Sequence, residues 1–512
     1  MQELSIKPRK YQEEIFKTTR EKNTLVVLPT GTGKTLIGIM TAIYKFKMRP
    51  LEKILILAPT RPLIEQHFKD FKEKLPDGWA DYQLFTGKTL AKKRKEIWQT
   101  AEFIFSTPQC ISNDLKKGLY DLRDVSLLIV DEAHRCMKNY AYNYVSQKYK
   151  LQNDAHHILA LTASPGGDKK TIKQICENLN IQSVEIRTRE SDDVKPYLQE
   201  LEFEKIFVDF PAELMQIKIL LEGIYNDKAA KLKDRKLLFG HPNKMTLLKL
   251  QTKLASEIRR SRNGNKMYGI SLCAQALKIS HAIELIETQT VNALLEYMRD
   301  LYKKAEEKTT KGVQVITQDK RFQRAFSLAG TLENEHPKVE KIKEIINEQI
   351  SENANSRIII FAQFRETIRK IHDELEKNIN IKPGIFVGQA QKKNSKGQLT
   401  GLKQKDQKKM IQDFRDGKIN TLLATSIAEE GLDIPEVSAV IFYEPIPSAI
   451  RKIQRAGRTA RLAPGKLKIL ITKNTRDEIY YYSSIHKEKR MHKAIDEIKK
   501  GFDNPEKQKK LF

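Results

Sequence analysis

Leu28-Pro29-Thr30-Gly31-Thr32-Gly33-Lys34-Thr35 decides the reading of this chain. A short apolar run, Leu25 to Leu28, leads into it, and a helix-like run, Leu36 to Tyr44, leaves it. A glycine-rich turn between a strand and a helix is built to hold phosphate. The glycines let backbone N–H groups converge, and the helix N-terminus adds positive potential. In that arrangement Lys34 reaches the β- and γ-phosphates of a nucleotide, and the Thr35 hydroxyl holds Mg²⁺. Leu28 stands where the pattern usually begins with glycine, so the match rests on Gly31, Gly33, Lys34 and Thr35.

About a hundred residues on, Val125 to Val130 is apolar except for Ser126, as expected of a strand buried on both faces. It ends in Asp131-Glu132-Ala133-His134. An acidic pair at the C-terminal end of a parallel strand sits where open α/β sheets bind ligands. Asp131 is the candidate to hold Mg²⁺, and Glu132 the candidate to orient or deprotonate an attacking water. Phosphate turn and acidic pair together read as the two halves of an ATP-hydrolysing site.

The balance of charge points to a polyanionic partner. Lys and Arg number 92 against 65 Asp and Glu, a formal net charge of +27, more than solubility requires. The 512 residues suggest about three domains. Cys110, Cys136, Cys176 and Cys273 are widely spaced. They form no metal-ligand pattern and no disulfide framework, which suits a reducing cytosol. No apolar run approaches a membrane span. The N-terminal stretch with Glu3, Lys7, Pro8 and Arg9 is not a signal peptide. A cytoplasmic, nucleoid-associated protein of a prokaryotic cell is expected.

Short apolar runs alternate with helical stretches from Leu25 to about Ile186, the pattern of a doubly wound parallel sheet. Its expected strands lie at Leu25–Leu28, Ile54–Ala58, Phe103–Ser106, Leu127–Val130 and Ile158–Leu161. A second block, from about His336 to Lys473, has strands expected at Ile358–Phe361, Leu422–Thr425, Ala439–Tyr443 and Leu467–Thr472. Between the blocks strand signals nearly vanish. Leu247, Leu250, Leu254 and Ile258 step along one helix face, and Ala274, Leu277, Ala282 and Leu285 continue the pattern after a turn at Asn263-Gly264-Asn265. Arg259, Arg260 and Arg262 cluster there, either as a solvated face or as a patch for phosphates. The expected architecture is α/β. A first lobe covers residues 1–200, an all-helical insertion 201–335, and a second lobe 336–512, ending in a basic, lysine-rich tail from Lys487. The second lobe also carries Gln454-Arg455-Ala456-Gly457-Arg458-Thr459-Ala460-Arg461. Arginines around a glycine at a helix end suit a finger that reaches a γ-phosphate from across a cleft, with Arg458 and Arg461 as its tips.

The order of these motifs resembles that of the DEAH-box helicases and translocases of superfamily 2, which implies two RecA-like lobes. Pro8-Arg9-Lys10-Tyr11-Gln12 resembles their adenine-reading motif, Leu28 to Thr35 motif I, Ala58 to Leu63 motif Ia, and Ser106-Thr107-Pro108 motif Ib. Asp131 to His134 is similar to motif II, Thr162-Ala163-Ser164 to motif III, Phe361 to Arg365 to motif IV, Ala424 to Pro435 to motif V, and Gln454 to Arg461 to motif VI. Within the superfamily, Phe386 to Ala390, Gly401 to Gln407 and Tyr443 to Ile450 resemble the archaeal Hef and eukaryotic FANCM branch. Motif VI departs from that branch at Ala460, where glycine is usual.

The resemblance implies an ATP- and Mg²⁺-dependent DNA helicase or translocase acting on forked and branched DNA in replication-fork repair, with the helical insertion gripping the branch. It implies that Arg9 and Gln12 read adenine and that Leu28, Pro29, Thr30, Gly31, Thr32, Gly33, Lys34 and Thr35 hold the nucleotide. Gly431 and Asp433 would meet it from the second lobe. Thr35 and Asp131 are the implied metal ligands. Lys34, Asp131, Glu132, Gln454, Arg458 and Arg461 would carry hydrolysis, and His134, Thr162 and Ser164 would couple it to the DNA track. Arg61, Thr107, Gln363 and Thr425 are the implied backbone contacts, which carry no base information. RNA-directed relatives of the RIG-I and Dicer type also have helical insertions and form the alternative. A non-catalytic DNA scaffold is disfavoured by the intact Lys34, Asp131, Glu132 and Arg458. Archaeal Hef often carries a C-terminal nuclease; the chain's end at Phe512 leaves no room for one, so cutting is expected of a separate partner. The last residues, with Gln508, Leu511 and Phe512, are similar in part to sliding-clamp-binding peptides.

Overall fold

The apolar runs assemble into two separate parallel sheets. A computed structural model describes residues 6–260, 263–390, 401–428, 434–459 and 463–502. The first sheet has seven strands: β1 (Thr24–Val27), β2 (Lys53–Leu57), β3 (Tyr82–Phe85), β4 (Phe103–Ser106), β5 (Val125–Val130), β6 (Ile158–Thr162) and β7 (Ser183–Ile186). They lie in the order β3-β4-β2-β5-β6-β1-β7, every pair parallel. The five inner strands are buried along their whole length, which is why each reads as an unbroken apolar run. Successive side chains point to opposite faces and feed two cores. Leu25, Leu57 and Leu128 join one, and Val26, Ile56 and Ile129 the other.

The second sheet has six strands: β8 (Leu201–Val208), β9 (Ile358–Phe361), β10 (Pro383–Phe386), β11 (Thr421–Ala424), β12 (Ala439–Phe442) and β13 (Gly465–Thr472). Their order is β10-β11-β9-β12-β13-β8, again all parallel. Between β8 and β9 six helices run from Ala212–Asp234 to Lys320–Thr331; five pack around Leu221, Ile279, Leu294 and Phe322, and the second, Lys244–Arg260, packs through Leu247 beside Leu232 and Leu272. Asn263 starts the third of them by accepting hydrogen bonds from the backbone N–H groups of Asn265 and Lys266. Two α/β lobes with a helical region between them are thus present as expected.

The structure corrects two expectations. The helical insertion does not begin at residue 201, because Leu201–Val208 is an edge strand of the second sheet, paired with β13 over its whole length. Its Leu-Glu-Phe-Glu-Lys-Ile-Phe-Val sequence buries only Ile206 and Val208 fully, so it lacks the apolar run that marks an inner strand. Nor is the stretch 487–502 a tail. The C-terminal helix Arg476–Phe502 runs through it and returns to the first lobe. There Met491, Ala494, Ile495 and Ile498 enter the same core as Ile172, Cys176 and Val184. Arg262, Gly431, Asp433, Arg461, Gln508, Leu511 and Phe512 lie outside the described residues. All four cysteines are buried and free. Among the described residues no helix is long and apolar enough to cross a membrane.

Candidate active site between the lobes

The glycine-rich turn leaves β1 at Leu28, whose side chain is fully buried in the first lobe's core. That placement accounts for the missing first glycine: position 28 faces the core, and its carbonyl does the local work. Lys34 Nζ donates to Leu28 O at 3.0 Å and to Pro29 O at 3.1 Å. Gly31 and Gly33 have φ of +79° and +76°, backbone that side chains rarely adopt. A Cβ at Gly33 would also meet Gln12 Nε2 at 2.4 Å. Thr32 closes the turn with its hydroxyl donating to Pro29 O at 2.6 Å. The helix Lys34–Met48 then starts directly from the turn.

Gln12 braces this turn from the first helix, Lys10–Thr19, which Arg9 precedes as its cap. Gln12 Nε2 donates to Thr32 O at 3.1 Å, and its Oε1 accepts from the Arg9 backbone N–H at 2.9 Å. Tyr11, fully buried, donates its hydroxyl to the same Thr32 O at 2.6 Å. The Arg9 guanidinium lies 5.1 Å above the Tyr197 ring. Tyr11 belongs to the motif Pro8 to Gln12, but Tyr197 carries no signal in the sequence. Their contact lies nearly the whole first lobe apart in sequence.

Asp131 and Glu132 leave the end of β5 as expected. Asp131 is buried, with Oδ2 2.7 Å from His67 Nε2. Burial alone would raise its pKa, but the hydrogen bond and charge of His67 and the charge of Lys34 prevail and hold it below the usual carboxylate range. His67 is raised in turn, because Asp131 outweighs the effect of burial. His67 is a second residue missed from sequence, though a signal exists. Ile64, His67 and Phe71 share the buried face of the helix Arg61–Lys74, and a histidine on an apolar stripe marks a polar contact beneath. Glu132 sits in the left-handed region at φ +50°. Its Oε2 is 3.3 Å from His134 Nδ1, which is 3.3 Å from Thr162 Oγ1. Thr162 Oγ1 donates to Ser164 O at 3.0 Å. The three coupling candidates therefore form one chain that starts at Glu132.

Gln454 and Arg458 reach this site from the second lobe. Both are buried, and both line a cavity of about 450 Å³ together with Gln12, Thr30, Gly31, Gly33, Lys34, Thr35, Asp131 and Glu132. The lobes touch where Gly457 meets the turn: a Cβ there would stand 1.5 Å from Thr30 Oγ1. The finger helix Ala449–Ala456 is anchored by Arg455, fully buried, its guanidinium 4.8 Å from the Phe361 ring centre and 5.6 Å from that of Phe442. The donor set fits a Mg²⁺–nucleotide. Glycine backbone, an ammonium, a hydroxyl, a depressed carboxylate and an arginine converge on one cavity, and the buried Glu132 Oε2 lacks a well-directed hydrogen bond among the described residues.

The implied DNA contacts stand elsewhere. Arg61, Thr107, Gln363 and Thr425 follow the C-terminal ends of β2, β4, β9 and β11, and none lines the cavity. Gln363 is exposed and Thr425 nearly buried. Arg61 pairs with Glu65 at 2.6 Å, and Glu65 takes Lys408 of the second lobe at 3.3 Å.

Family comparisons agree with this geometry. Residues 9–172 match the DEAD/DEAH box helicase model, 337–463 the helicase conserved C-terminal domain, and 213–336 the model described as "Putative ATP-dependent RNA helicase, helical bundle". The crystal structure of the Pyrococcus furiosus Hef helicase domain matches with a TM-score of 0.70 and 42% identity, over 93% of this chain and 98% of that one. This chain belongs to the Hef/FANCM branch of the superfamily 2 helicases. A Methanocaldococcus jannaschii protein named "Putative ATP-dependent RNA helicase MJ1505" is 38% identical over 96% of this chain and 61% of its own length. The ATP-dependent DNA helicase mph1 of Neurospora crassa is 33% identical over 92% of this chain and 41% of its own. The mouse Fanconi anemia group M protein homolog is 33% identical over 95% and 26%. The chain thus spans between about a quarter and three fifths of these Hef/FANCM-branch relatives.

Proposed function

We propose that this protein is an ATP-driven DNA translocase that remodels or unwinds forked and branched DNA during replication-fork repair. The observation that carries the reading is a nucleotide-sized cavity with walls from both lobes, Lys34, Asp131 and Glu132 on one side and Gln454 and Arg458 on the other. Chemistry there needs the lobes together, and loss of the γ-phosphate contact lets them part, the two-state cycle a motor requires.

Lys34 and the turn's N–H groups would hold the phosphates, Thr35 and Asp131 the Mg²⁺, and Arg9 and Gln12 the adenine. The bound ion supplies charge neutralisation of the phosphates. Glu132 takes the proton of the attacking water. Arg458, with Arg461, answers the charge that develops on the transferring group, an effect worth about 10³–10⁵ in rate. DNA is favoured over RNA by relatives named as DNA helicases; the relative named as an RNA helicase keeps the RNA-directed reading as the alternative. ATP turnover measured with single-stranded, duplex, forked and four-way DNA and with double-stranded RNA, at one salt concentration, tests both. Forked or four-way DNA is expected to stimulate most. Greater stimulation by double-stranded RNA would transfer the protein to the RNA-directed class.

A further inference from the structure

We infer that the C-terminal helix Arg476–Phe502 is a rod that couples the helical insertion to the water-activating Glu132, with Met491 as the positioning residue at its catalytic end. The inference deepens the DNA-driven reading above and rests on it.

The first turns of this helix are locked into the insertion. Arg476 donates to Ser280 O at 2.6 Å and stands 3.2 Å from Glu287 Oε2, and Tyr480 donates its hydroxyl to Glu284 Oε1 at 2.8 Å. All three partners lie on one insertion helix, Gly264–Thr288, and are buried. Lys218, on the first insertion helix, holds the other oxygen of Glu287 at 2.7 Å. Halfway along, Glu488 accepts from Lys452 of the finger helix at 2.9 Å. The far end is in the first lobe, where Lys169 pairs with Glu497 at 3.0 Å. One unbroken helix of 27 residues thus touches all three bodies. At about 1.5 Å per residue it is a stiff element some ~40 Å long.

Its contact with the first lobe falls on motif III. Ser164 donates its hydroxyl to Met491 Sδ at 2.7 Å, with both residues nearly inaccessible. From Ser164 a path of contacts runs through Thr162 and His134 to Glu132, hydrogen-bonded as far as His134 and closed by the 3.3 Å charge contact of His134 Nδ1 with Glu132 Oε2. Glu132 has a backbone conformation that non-glycine residues keep only when their surroundings impose it. A displacement of the insertion end therefore has a continuous physical route to the group that takes the water's proton. A route of packed side chains becomes coupling only when both ends bias the same element, which two substitutions can test.

Met491→Leu keeps apolar volume but cannot accept from Ser164. Tyr480→Phe removes one hydroxyl at the opposite end. Neither residue lines the nucleotide cavity. Both variants are expected to keep the DNA-free ATPase rate and the KM for ATP, and to lose about tenfold in fork-stimulated kcat, within the usual range of allosteric coupling. The double variant should lose no more than the worse single one, since both cut the same route. Equal loss of DNA-free and stimulated rates, or full stimulation in both variants, would overturn the inference while the DNA-driven reading stands. A wild-type protein that no DNA stimulates would overturn both. If Met491→Leu does not fold, Tyr480→Phe decides alone by the same criteria.

Discussion

Glu132 and Glu444 show how one residue type takes opposite parts according to its surroundings. Glu132 stands at the cavity wall beside His134, ready to accept a proton. Glu132→Gln should remove nucleic-acid-stimulated ATP turnover and leave nucleotide affinity nearly unchanged, because the carboxylate acts on water. Lys34→Ala should lose both, its ammonium being the proposed ligand of the phosphates. Turnover assays paired with nucleotide-binding titrations check the contrast, and wild-type turnover in either variant would refute the assignment. Glu444 is sealed at the end of β12, 2% exposed. Burial pushes its carboxyl up to about 7, against the opposing pull of Arg455 and Lys338. The folded protein keeps this proton up to that pH, whereas the unfolded chain releases it near ~4.3. Stability therefore falls as pH rises between those two values. Glu444→Gln should melt higher than wild type at pH 8, by at least about 2–4 °C, and the gap should close by pH 4.5. A gap that stays constant over that range would show that Glu444 does not carry the buried proton.

The finger helix ends where the second lobe meets the glycine-rich turn. Its Gly457 leaves no room for a side chain against Thr30. Gly457→Ala should hold the lobes apart and reduce stimulated turnover by at least about tenfold, with ATP affinity changed far less. Arg458→Ala should show the same asymmetry for a different reason, since its charge is needed mainly in the transition state. Equal losses of affinity and rate would make either residue a ground-state binder. The elements legible in the sequence were those with local signatures. The turn at Leu28–Thr35 announces itself by glycine spacing, and the inner strands by unbroken apolar runs. The four strands left unread, β3, β7, β8 and β10, are the four sheet edges. Each is partly exposed along its length, so each mixes polar and apolar residues, and Pro383 opens β10 where no ladder partner needs its N–H. His67, Arg455 and Met491 went unread because their partners are set by tertiary packing: Asp131, the Phe361 and Phe442 rings, and Ser164.

At the scale of the molecule, a net charge of +27 makes general affinity for polyanions unsurprising, so the proposed preference for forks would have to come from where particular charges stand. The insertion lies between β8 and β9 of the second sheet in sequence and is tied to the C-terminal helix through Glu284 and Glu287. Under the proposed function, that tie would let it report a DNA branch to the motor. Arg259 is exposed near the end of the insertion helix Lys244–Arg260, far in sequence from every motif residue. If it meets a phosphate of the branch, Arg259→Glu should weaken binding to a forked substrate. The slope of log K against log[salt] should also shrink by about one, the signature of one lost phosphate contact. Linear duplex, held by the motor lobes, should keep both its affinity and its slope. DNA-free ATP turnover should be unchanged, since the residue does not line the cavity. Binding isotherms for fork and linear duplex at four or five salt concentrations separate these outcomes. An unchanged fork slope would make the arginine cluster a solvated face, and an equal loss for fork and duplex would make it a contributor to general charge alone.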